Sequence, residues 1–163
     1  MAKKTESIVL IDAGIDLPLH LAAGVALEAK VLVLSPADDG IQQITSLLDD
    51  IHAVRTEIHI VAHGFPGGLY LGNSELSLQT LETYRPQLHR WASPAGVDIY
   101  IYGCNVAAGD AGTEFLARLQ TLTGANIAAS PRRVGHASQG GDWNLDTVLG
   151  TLPQRTLLTT AAI

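Results

Sequence analysis

Short apolar runs alternate with amphipathic stretches along most of the chain. The runs have the length and continuous hydrophobicity of strands that are buried on both faces. They occupy residues 7–12, 30–35, 57–62, 97–102 and 126–130. Between them, apolar residues recur at the spacing of one helix face. These predicted helices occupy residues 17–29, 41–51, 78–91 (bent or split by Pro86) and 111–122. This alternation predicts right-handed βαβ units and a mostly parallel sheet with helices on both faces.

Two glycine-containing segments interrupt the alternation. Residues 69–76 predict a small hairpin that turns near Gly72 and Asn73, and residues 140–146 predict a second one. The predicted fold class is therefore α/β, with a mostly parallel sheet and small β-hairpin additions. We expect a single domain over 1–163, with an N-terminal tail at 1–6 and a weakly specified C-terminal tail at 153–163.

Composition and charge exclude several classes of protein. The chain has 163 residues, of which 47% are hydrophobic and 16% are charged, as in ordinary globular domains. A net charge of −6 argues against a nucleic-acid partner. No apolar run is long enough to cross a bilayer, and the N-terminus lacks the apolar core of a signal peptide. We therefore expect the chain as given to be soluble, without membrane insertion. A single cysteine excludes an internal disulfide and a cysteine-rich zinc site, and no cofactor is expected.

Two of the predicted strands end at reactive side chains beside glycines. His63 and Gly64 follow the strand at 57–62, while Gly103 and Cys104 follow the strand at 97–102. If these strands are parallel neighbours, imidazole and thiol emerge together at the carboxyl edge of the sheet, where open α/β sheets place their sites. The sequence therefore predicts a Cys-His dyad.

The surrounding residues suit thiol chemistry. A neighbouring imidazolium or helix N-terminus lowers the pKa of a thiol from about 8.5, and a helix capped by Asp110 is predicted shortly after Cys104. The backbone N–H groups of Gly64 and Cys104 are the natural oxyanion donors, and Gly103 would allow a sharp turn that exposes the thiol. His59, on the same strand face as His63, is interpreted as structural.

Other acidic residues near predicted strand ends have simpler interpretations. Asp12 is interpreted as the cap of a loop. Asp38 and Asp39 are interpreted as a turn or a helix start. One alternative to an enzyme stays open, in which the domain is a non-catalytic adhesion or interaction module. In that case the His-Gly and Gly-Cys pairs are packing and turn features.

At these residues the sequence resembles the caspase, gingipain and legumain superfamily of cysteine peptidases, known as clan CD. Its resemblance is greater to an uncharacterised family within that group, found near the N-terminus of giant bacterial and cyanobacterial surface proteins. The motifs that carry this resemblance are VLID at 9–12, GIQQI at 40–44, HIVAHG at 59–64, LGN at 71–73, YGCNVAAG at 102–109, TGANIAAS at 123–130 and GGDW at 140–143. Together they span nearly the whole chain.

The resemblance implies a caspase-like three-layer sandwich, with His63 as base or proton donor and Cys104 as nucleophile. It implies a Cys-His endopeptidase at a secreted or cell-surface location, acting on a peptide or protein substrate, with its own parent chain as one candidate. A catalytically inactive caspase-like module is the alternative. Relatives that cleave after basic residues line their specificity pocket with an acid, whereas the position two past the thiol here is Val106. Asp142 is the one acid nominated for substrate binding, with a turn residue as the competing interpretation.

Overall fold

A computed structural model shows the architecture of the chain. The structure describes residues 5–16, 18–26, 28–51 and 55–158. Its main sheet has six strands in the order β2-β1-β3-β7-β8-β9, of which all but β9 run parallel. These strands are β1 (Thr5–Asp12), β2 (Lys30–Leu34), β3 (Arg55–Val61), β7 (Val97–Tyr102), β8 (Asn126–Ala129) and β9 (Thr147–Leu149). A small antiparallel sheet contains β4 (Gly64–Phe65), β5 (Gly68–Leu71) and β6 (Ser74–Ser77). The predicted α/β class with a mostly parallel sheet is confirmed, and the architecture is consistent with a caspase-like sandwich.

Among the described residues, four α-helices connect the strands. They are α1 (Pro18–Ala23), α2 (Gly40–Asp49), α3 (Arg85–His89) and α4 (Gly109–Thr123), and a 3-10 turn covers Ala137–Gln139. Asp39 caps α2 by accepting a hydrogen bond from the backbone N–H of Gln42 at 3.1 Å, as its interpretation as a helix start requires. Gly124 ends α4 in the left-handed conformation.

The alternation of side chains along the central strands separates two hydrophobic cores. On one face, Ile58, Ile60, Ile99 and Ile101 pack with the apolar sides of α2, α3 and α4. On the other face lie Val61, Tyr100 and Tyr102, covered by α1 and by the C-terminal segment. Strands with apolar residues on both faces read as continuous apolar runs, which is why the sequence revealed them.

Two predicted helices were wrong in extent. The helix predicted at 17–29 is shorter, since α1 ends at Ala23, and Leu17 and Leu27 fall outside the described residues. The helix predicted at 78–91 is a series of turns followed by the short α3. Pro86 lies in the first turn of α3, where its missing N–H is not needed. The proline therefore starts this helix rather than bending a longer one.

The second predicted hairpin, at 140–146, is not formed. Asp142 instead makes an isolated parallel bridge with Val134, and the chain then enters β9, which pairs antiparallel with β8. The first hairpin is confirmed, with Gly72 at φ +62° and Asn73 between β5 and β6. A left-handed residue at such a turn favours glycine.

The C-terminal segment is packed as far as the structure describes it. Leu157 and Leu158 are buried, and the Leu157 carbonyl accepts a hydrogen bond from the backbone N–H of Ala26 at 2.7 Å. Residues 159–163 of the predicted tail lie outside the described residues. At the other end, β1 begins at Thr5, inside the predicted tail at 1–6. Within the described residues, no helix has the length and hydrophobicity needed to cross a membrane.

Candidate functional site

The two strands that carry the predicted dyad are parallel neighbours at the centre of the sheet. β3 and β7 pair in a register that places Val61 opposite Tyr102. The ladder extends one step further, because the N–H of Ala62 donates to the Tyr102 carbonyl at 3.3 Å. His63 and Cys104 each lie two residues beyond the end of their strand, at the carboxyl edge of the sheet. The two strand ends therefore lie side by side, as the sequence predicts.

Backbone crowding beside the thiol explains the two glycines. A Cβ atom added to Gly64 would lie 2.5 Å from Val106 Cγ2 and 2.9 Å from the Cys104 carbonyl oxygen. A Cβ atom added to Gly103 would lie 3.0 Å from Val106 Cγ2 and 3.1 Å from the Ala62 carbonyl oxygen. The two strand ends can therefore touch only because both positions lack a side chain. Val106 is fully buried in this contact.

The sharp turn after the thiol is made at a different residue from the one predicted. Asn105 has φ +62°, whereas Gly103 does not adopt a positive φ. Asparagine is among the few side chains that tolerate this left-handed region. Its backbone N–H donates to the Arg132 carbonyl at 2.9 Å. The turn leads into α4, whose N-cap is Ala108 without a side-chain cap, so the predicted cap at Asp110 is wrong and this residue lies in the first helical turn.

The thiol of Cys104 is half-buried, and both hydrogen bonds that it makes in the described part of the chain are with the backbone of one residue. Its Sγ lies 3.4 Å from the Val134 carbonyl oxygen, to which the S–H donates, and 3.4 Å from the Val134 nitrogen, which donates back. Val134 belongs to the loop after β8, a segment that sequence reasoning did not connect with the site. Sulfur hydrogen bonds at this distance are weak, so they hold the half-buried thiol only weakly.

His63 is exposed and is held from two sides. Its Nε2 lies 3.0 Å from the Gly14 carbonyl oxygen, in the loop after β1. Its own carbonyl accepts a hydrogen bond from the N–H of Tyr70 at 2.9 Å. Because a carbonyl only accepts, Nε2 carries a proton, and the neutral tautomer that this contact favours has Nδ1 as its basic nitrogen.

His63 and Cys104 both lie within the described residues, and their side chains are not hydrogen-bonded to each other in this structure. The imidazole contacts Gly14 and the thiol contacts Val134. Catalytic hydrogen bonds are often long in substrate-free enzymes and tighten only when substrate is bound. The arrangement is therefore a pair of adjacent groups, each with its own backbone partner.

Asp142, nominated for substrate binding, is occupied by an ion pair. Its carboxylate accepts from Arg132 Nε at 2.9 Å and from the backbone N–H of Asn144 at 2.8 Å. The hydrogen bond from Arg132 and the one from Asn144 hold the pKa of Asp142 below its usual range. Arg132 also pairs with Asp146, so the guanidinium ties this loop together.

A cavity of about 500 Å³ opens on the sheet face that carries Tyr102. Tyr102 lies on β7 just before Cys104, and its ring is 6.0 Å from that of Trp143. Asp146 and Arg155 add charge to the walls of the cavity. Among the described residues, the buried indole N–H of Trp143 has no acceptor. The cavity therefore offers an aromatic and polar space next to the strand that ends at the thiol.

Beneath this edge lies a buried cluster of polar and aromatic side chains. His59 is fully buried and stacks on Tyr100, with ring centroids 4.4 Å apart. Its Nδ1 lies 3.2 Å from the Tyr102 hydroxyl, and its Nε2 lies 3.2 Å from Glu57 Oε1. Arg155 donates from Nε to both Glu57 oxygens at 3.0 Å. His59 is saturated with partners, which supports its interpretation as a structural residue.

Burial sets the protonation states within this cluster. It lowers the pKa of His59, outweighing the opposite effect of Glu57. Burial by itself raises the pKa of Glu57, but the hydrogen bonds from Arg155 and His59 outweigh it and hold that pKa below its usual range. Burial, together with the charge of Glu57, raises the pKa of Tyr100 to about 12. At neutral pH the cluster therefore contains a neutral imidazole between two neutral phenols and one compensated carboxylate.

The lowered pKa of His59 predicts a loss of stability in mild acid. The unfolded state takes up a proton below about pH 6.5, whereas the folded state resists it. The free energy of unfolding should therefore fall as pH drops below about 6.5, by at most about 1.4 kcal/mol per pH unit from this group. Urea unfolding of wild type and His59→Gln between pH 7.5 and 5 measures it. The variant should show a flatter profile, while His89→Gln, at an exposed histidine of α3, should keep the wild-type slope.

No metal centre emerges from the geometry. Within the described residues, no group of three or more His, Cys, Asp or Glu side chains could hold a metal ion. The residues around His63 and Cys104 that the sequence analysis missed are Gly14 and Val134, on two separate loops, and Asn105, which directly follows Cys104. Of these, only Asn105 carried a local signal, since an asparagine beside Gly103 and Cys104 suits a left-handed turn.

Comparison with known proteins places the chain in a family. No curated protein matches it. The profile of the family described as Domain of unknown function (DUF4347) matches residues 8–163. The match begins within β1 and includes the rest of the main sheet. It also includes both strand ends of the candidate dyad and the packed C-terminal segment. The chain therefore belongs to the DUF4347 family.

Proposed function

We propose that this domain is a cysteine endopeptidase of the caspase-like superfamily, with Cys104 as nucleophile and His63 as general base and acid. The observation that carries the proposal is the pairing of β3 with β7, which brings the only cysteine and an exposed histidine to adjacent strand ends. The carboxyl edge of a parallel sheet is where such folds place their chemistry. Further support comes from Gly64 and Gly103, which let the two strand ends pack closely beside the thiol.

The tautomer of His63 suits this role. With its proton held on Nε2 by the Gly14 carbonyl, the ring presents an unprotonated Nδ1 as base. In the proposed reaction, Nδ1 accepts the thiol proton and the thiolate attacks the scissile carbonyl carbon, which makes a tetrahedral oxyanion. The C–N bond then breaks, the imidazolium gives its proton to the leaving amine, and a thioester remains on Cys104. Water, deprotonated by His63, hydrolyses the thioester and regenerates the thiol.

The proposed oxyanion donors are the backbone N–H groups of Gly64 and Cys104. Within the described part of the chain, no carbonyl or side chain accepts a hydrogen bond from the Cys104 N–H. The absence of a side chain lets the Gly64 backbone pack close to the Cys104 carbonyl oxygen, so the two proposed donors belong to neighbouring backbone segments. Donors that are fixed before the reaction typically supply the largest single part of transition-state stabilisation.

The proposed substrate is a peptide or protein, and the parent chain is one candidate. The cavity beside Tyr102 and Trp143 would accommodate a substrate side chain. We do not assign its specificity to Asp142, because that carboxylate is already paired with Arg132. The alternative function is an inactive interaction module that keeps the same fold. Its support is the contact of the thiol with both backbone polar groups of Val134.

Alkylation of Cys104 by iodoacetamide separates these two functions. Because the chain has one cysteine, the labelling rate reports a single thiol. Between pH 6 and 7, we expect labelling about tenfold or more faster than that of a free thiol, whose pKa is about 8.5. His63→Ala should remove this acceleration. His89→Ala, an exposed histidine on α3, should label like wild type. Equal and slow labelling of wild type and His63→Ala would favour the inactive module.

A further inference from the structure

We infer that Asp12 is a positioning residue for His63, an inference that rests on the proposed function. Asp12 ends β1, the strand beside β3, and its side chain is buried with 5% exposure. Within the described residues, its carboxylate makes no hydrogen bond with the imidazole. Both of its carboxylate oxygens bind backbone segments that in turn hold His63.

The first oxygen acts through the loop after β1. Oδ2 accepts a hydrogen bond from the Gly14 N–H at 3.0 Å. The carbonyl of the same residue accepts from His63 Nε2 at 3.0 Å. Asp12 thus holds Gly14 by its N–H group while His63 binds its carbonyl. The Ile15 N–H, in the same peptide unit as this carbonyl, donates to the Asp12 backbone carbonyl at 3.4 Å. The carboxylate adds a shorter, charge-assisted contact at the N–H of Gly14.

The second oxygen acts through the β5–β6 hairpin. Oδ1 accepts a hydrogen bond from the Gly72 N–H at 2.7 Å, at the turn of the hairpin. The preceding strand β5 supplies the Tyr70 N–H that donates to the His63 carbonyl at 2.9 Å. The carboxylate therefore holds the two segments that fix the backbone and the ring of the histidine.

A role limited to loop capping does not require this arrangement. An Asx turn needs one oxygen and is normally made by an exposed residue. Here a buried carboxylate uses both oxygens, each as a charge-assisted acceptor, which is about twice as strong as a neutral one. These stronger hydrogen bonds hold the segments that contact His63, and those contacts determine which nitrogen of its ring carries the proton. Without Asp12, we expect Gly14 to drift and His63 to lose its preference for the Nε2–H tautomer.

The test compares wild type with Asp12→Asn and Asp12→Ala in two measurements. Nitrogen NMR shifts of the His63 ring report the tautomer, and iodoacetamide labelling across pH reports thiol activation. Asp12→Ala should give mixed tautomers and an alkylation rate at pH 7 about tenfold lower, the usual size for loss of a partner that orients a functional histidine. Asp12→Asn should fall between, because its amide oxygen can accept only one of the two contacts without a mismatch. The matched control is Asp16→Asn, an exposed aspartate of the same loop, which should leave both readouts unchanged.

Two outcomes would overturn the inference. A wild-type tautomer and pH profile in folded Asp12→Ala, whatever its melting temperature, would mean that Asp12 is only structural. If Asp12→Ala does not fold, Asp12→Asn replaces it, because the amide removes the charge and can accept only one of the two contacts without a mismatch. An unchanged His63 tautomer there would equally refute the inference. Should the wild-type thiol prove unactivated, the proposed function fails, while the tautomer comparison still decides the role of Asp12.

Discussion

Replacing Cys104 by alanine is expected to abolish peptide-bond cleavage and to leave the domain folded. The chain has no second cysteine to take over the attack. Loss of a nucleophile that works as a unit with its base lowers kcat by about a thousandfold or more. The structural cost should be small, because the half-buried thiol loses only its two 3.4 Å contacts with Val134. We expect a loss of about 1 kcal/mol or less in the free energy of unfolding.

Cleavage is measured with unfolded casein, with a library of fluorogenic peptides and with the chain in its longest natural form. Cys104→Ser is the matched control, since a hydroxyl can still bind both Val134 groups but is a poor nucleophile without a strong base. Both variants should be inactive, and His63→Ala should lose most activity. Cleavage that persists in purified Cys104→Ala would refute the assignment of the nucleophile. A wild-type domain that cleaves none of these substrates, with an unactivated thiol, would favour the interaction module.

The part of the site that the sequence revealed is the part encoded by local patterns. The strands that end before His63 and Cys104 are buried on both faces, so their continuous apolar runs marked both their existence and their ends. Parallel packing of successive βαβ units then brought those ends to one edge. The hairpin turn at Gly72 was equally local, because its backbone conformation favours glycine.

The remainder depends on contacts between distant parts of the chain. The thiol is bound by Val134, and the imidazole by Gly14, through backbone groups that any residue could supply. A backbone carbonyl leaves no signature in the sequence, so neither partner could be predicted. The failed hairpin at 140–146 has a related cause. Arg132 draws Asp142 and Asp146 to itself, and the following residues pair with β8 instead of folding back locally.

Arg155, in the C-terminal segment, has a structural role that the sequence did not reveal. Arg155 lies in a stretch with little periodicity, yet it binds Glu57 in the middle of the chain. Glu57 has a side chain that is only 2% exposed, and a carboxylate so placed needs a compensating charge. Arg155 supplies it, and Tyr100 adds a 2.5 Å hydrogen bond to the Pro153 carbonyl. The segment is therefore attached to the sheet by polar contacts around the apolar anchors Leu157 and Leu158.

Arg155→Ala is expected to cost about 2–3 kcal/mol of unfolding free energy at pH 8. Removing one partner of a buried ion pair typically costs about 3–5 kcal/mol, and we expect less here because the Arg155 side chain is 38% exposed and partly screened by solvent. Urea unfolding measures the loss. Arg85→Ala is the matched control, since its ion pair with Glu82 is exposed at both ends and should contribute little to stability.

The pH dependence of this loss distinguishes the ion pair from ordinary packing. Glu57 faces Arg155 and His59, with Tyr100 and Asp98 nearby. The charge of Arg155 helps to keep the pKa of His59 low, although burial is the larger cause. Once the guanidinium is gone, His59 can take up a proton and compensate Glu57 itself. The loss of unfolding free energy caused by Arg155→Ala should therefore shrink as pH falls from 8 to 6. When Arg155→Ala is introduced into a Glu57→Gln background instead, the loss should be nearly independent of pH. A penalty that is constant with pH in both backgrounds would show that Arg155 stabilises the segment through its aliphatic stem alone.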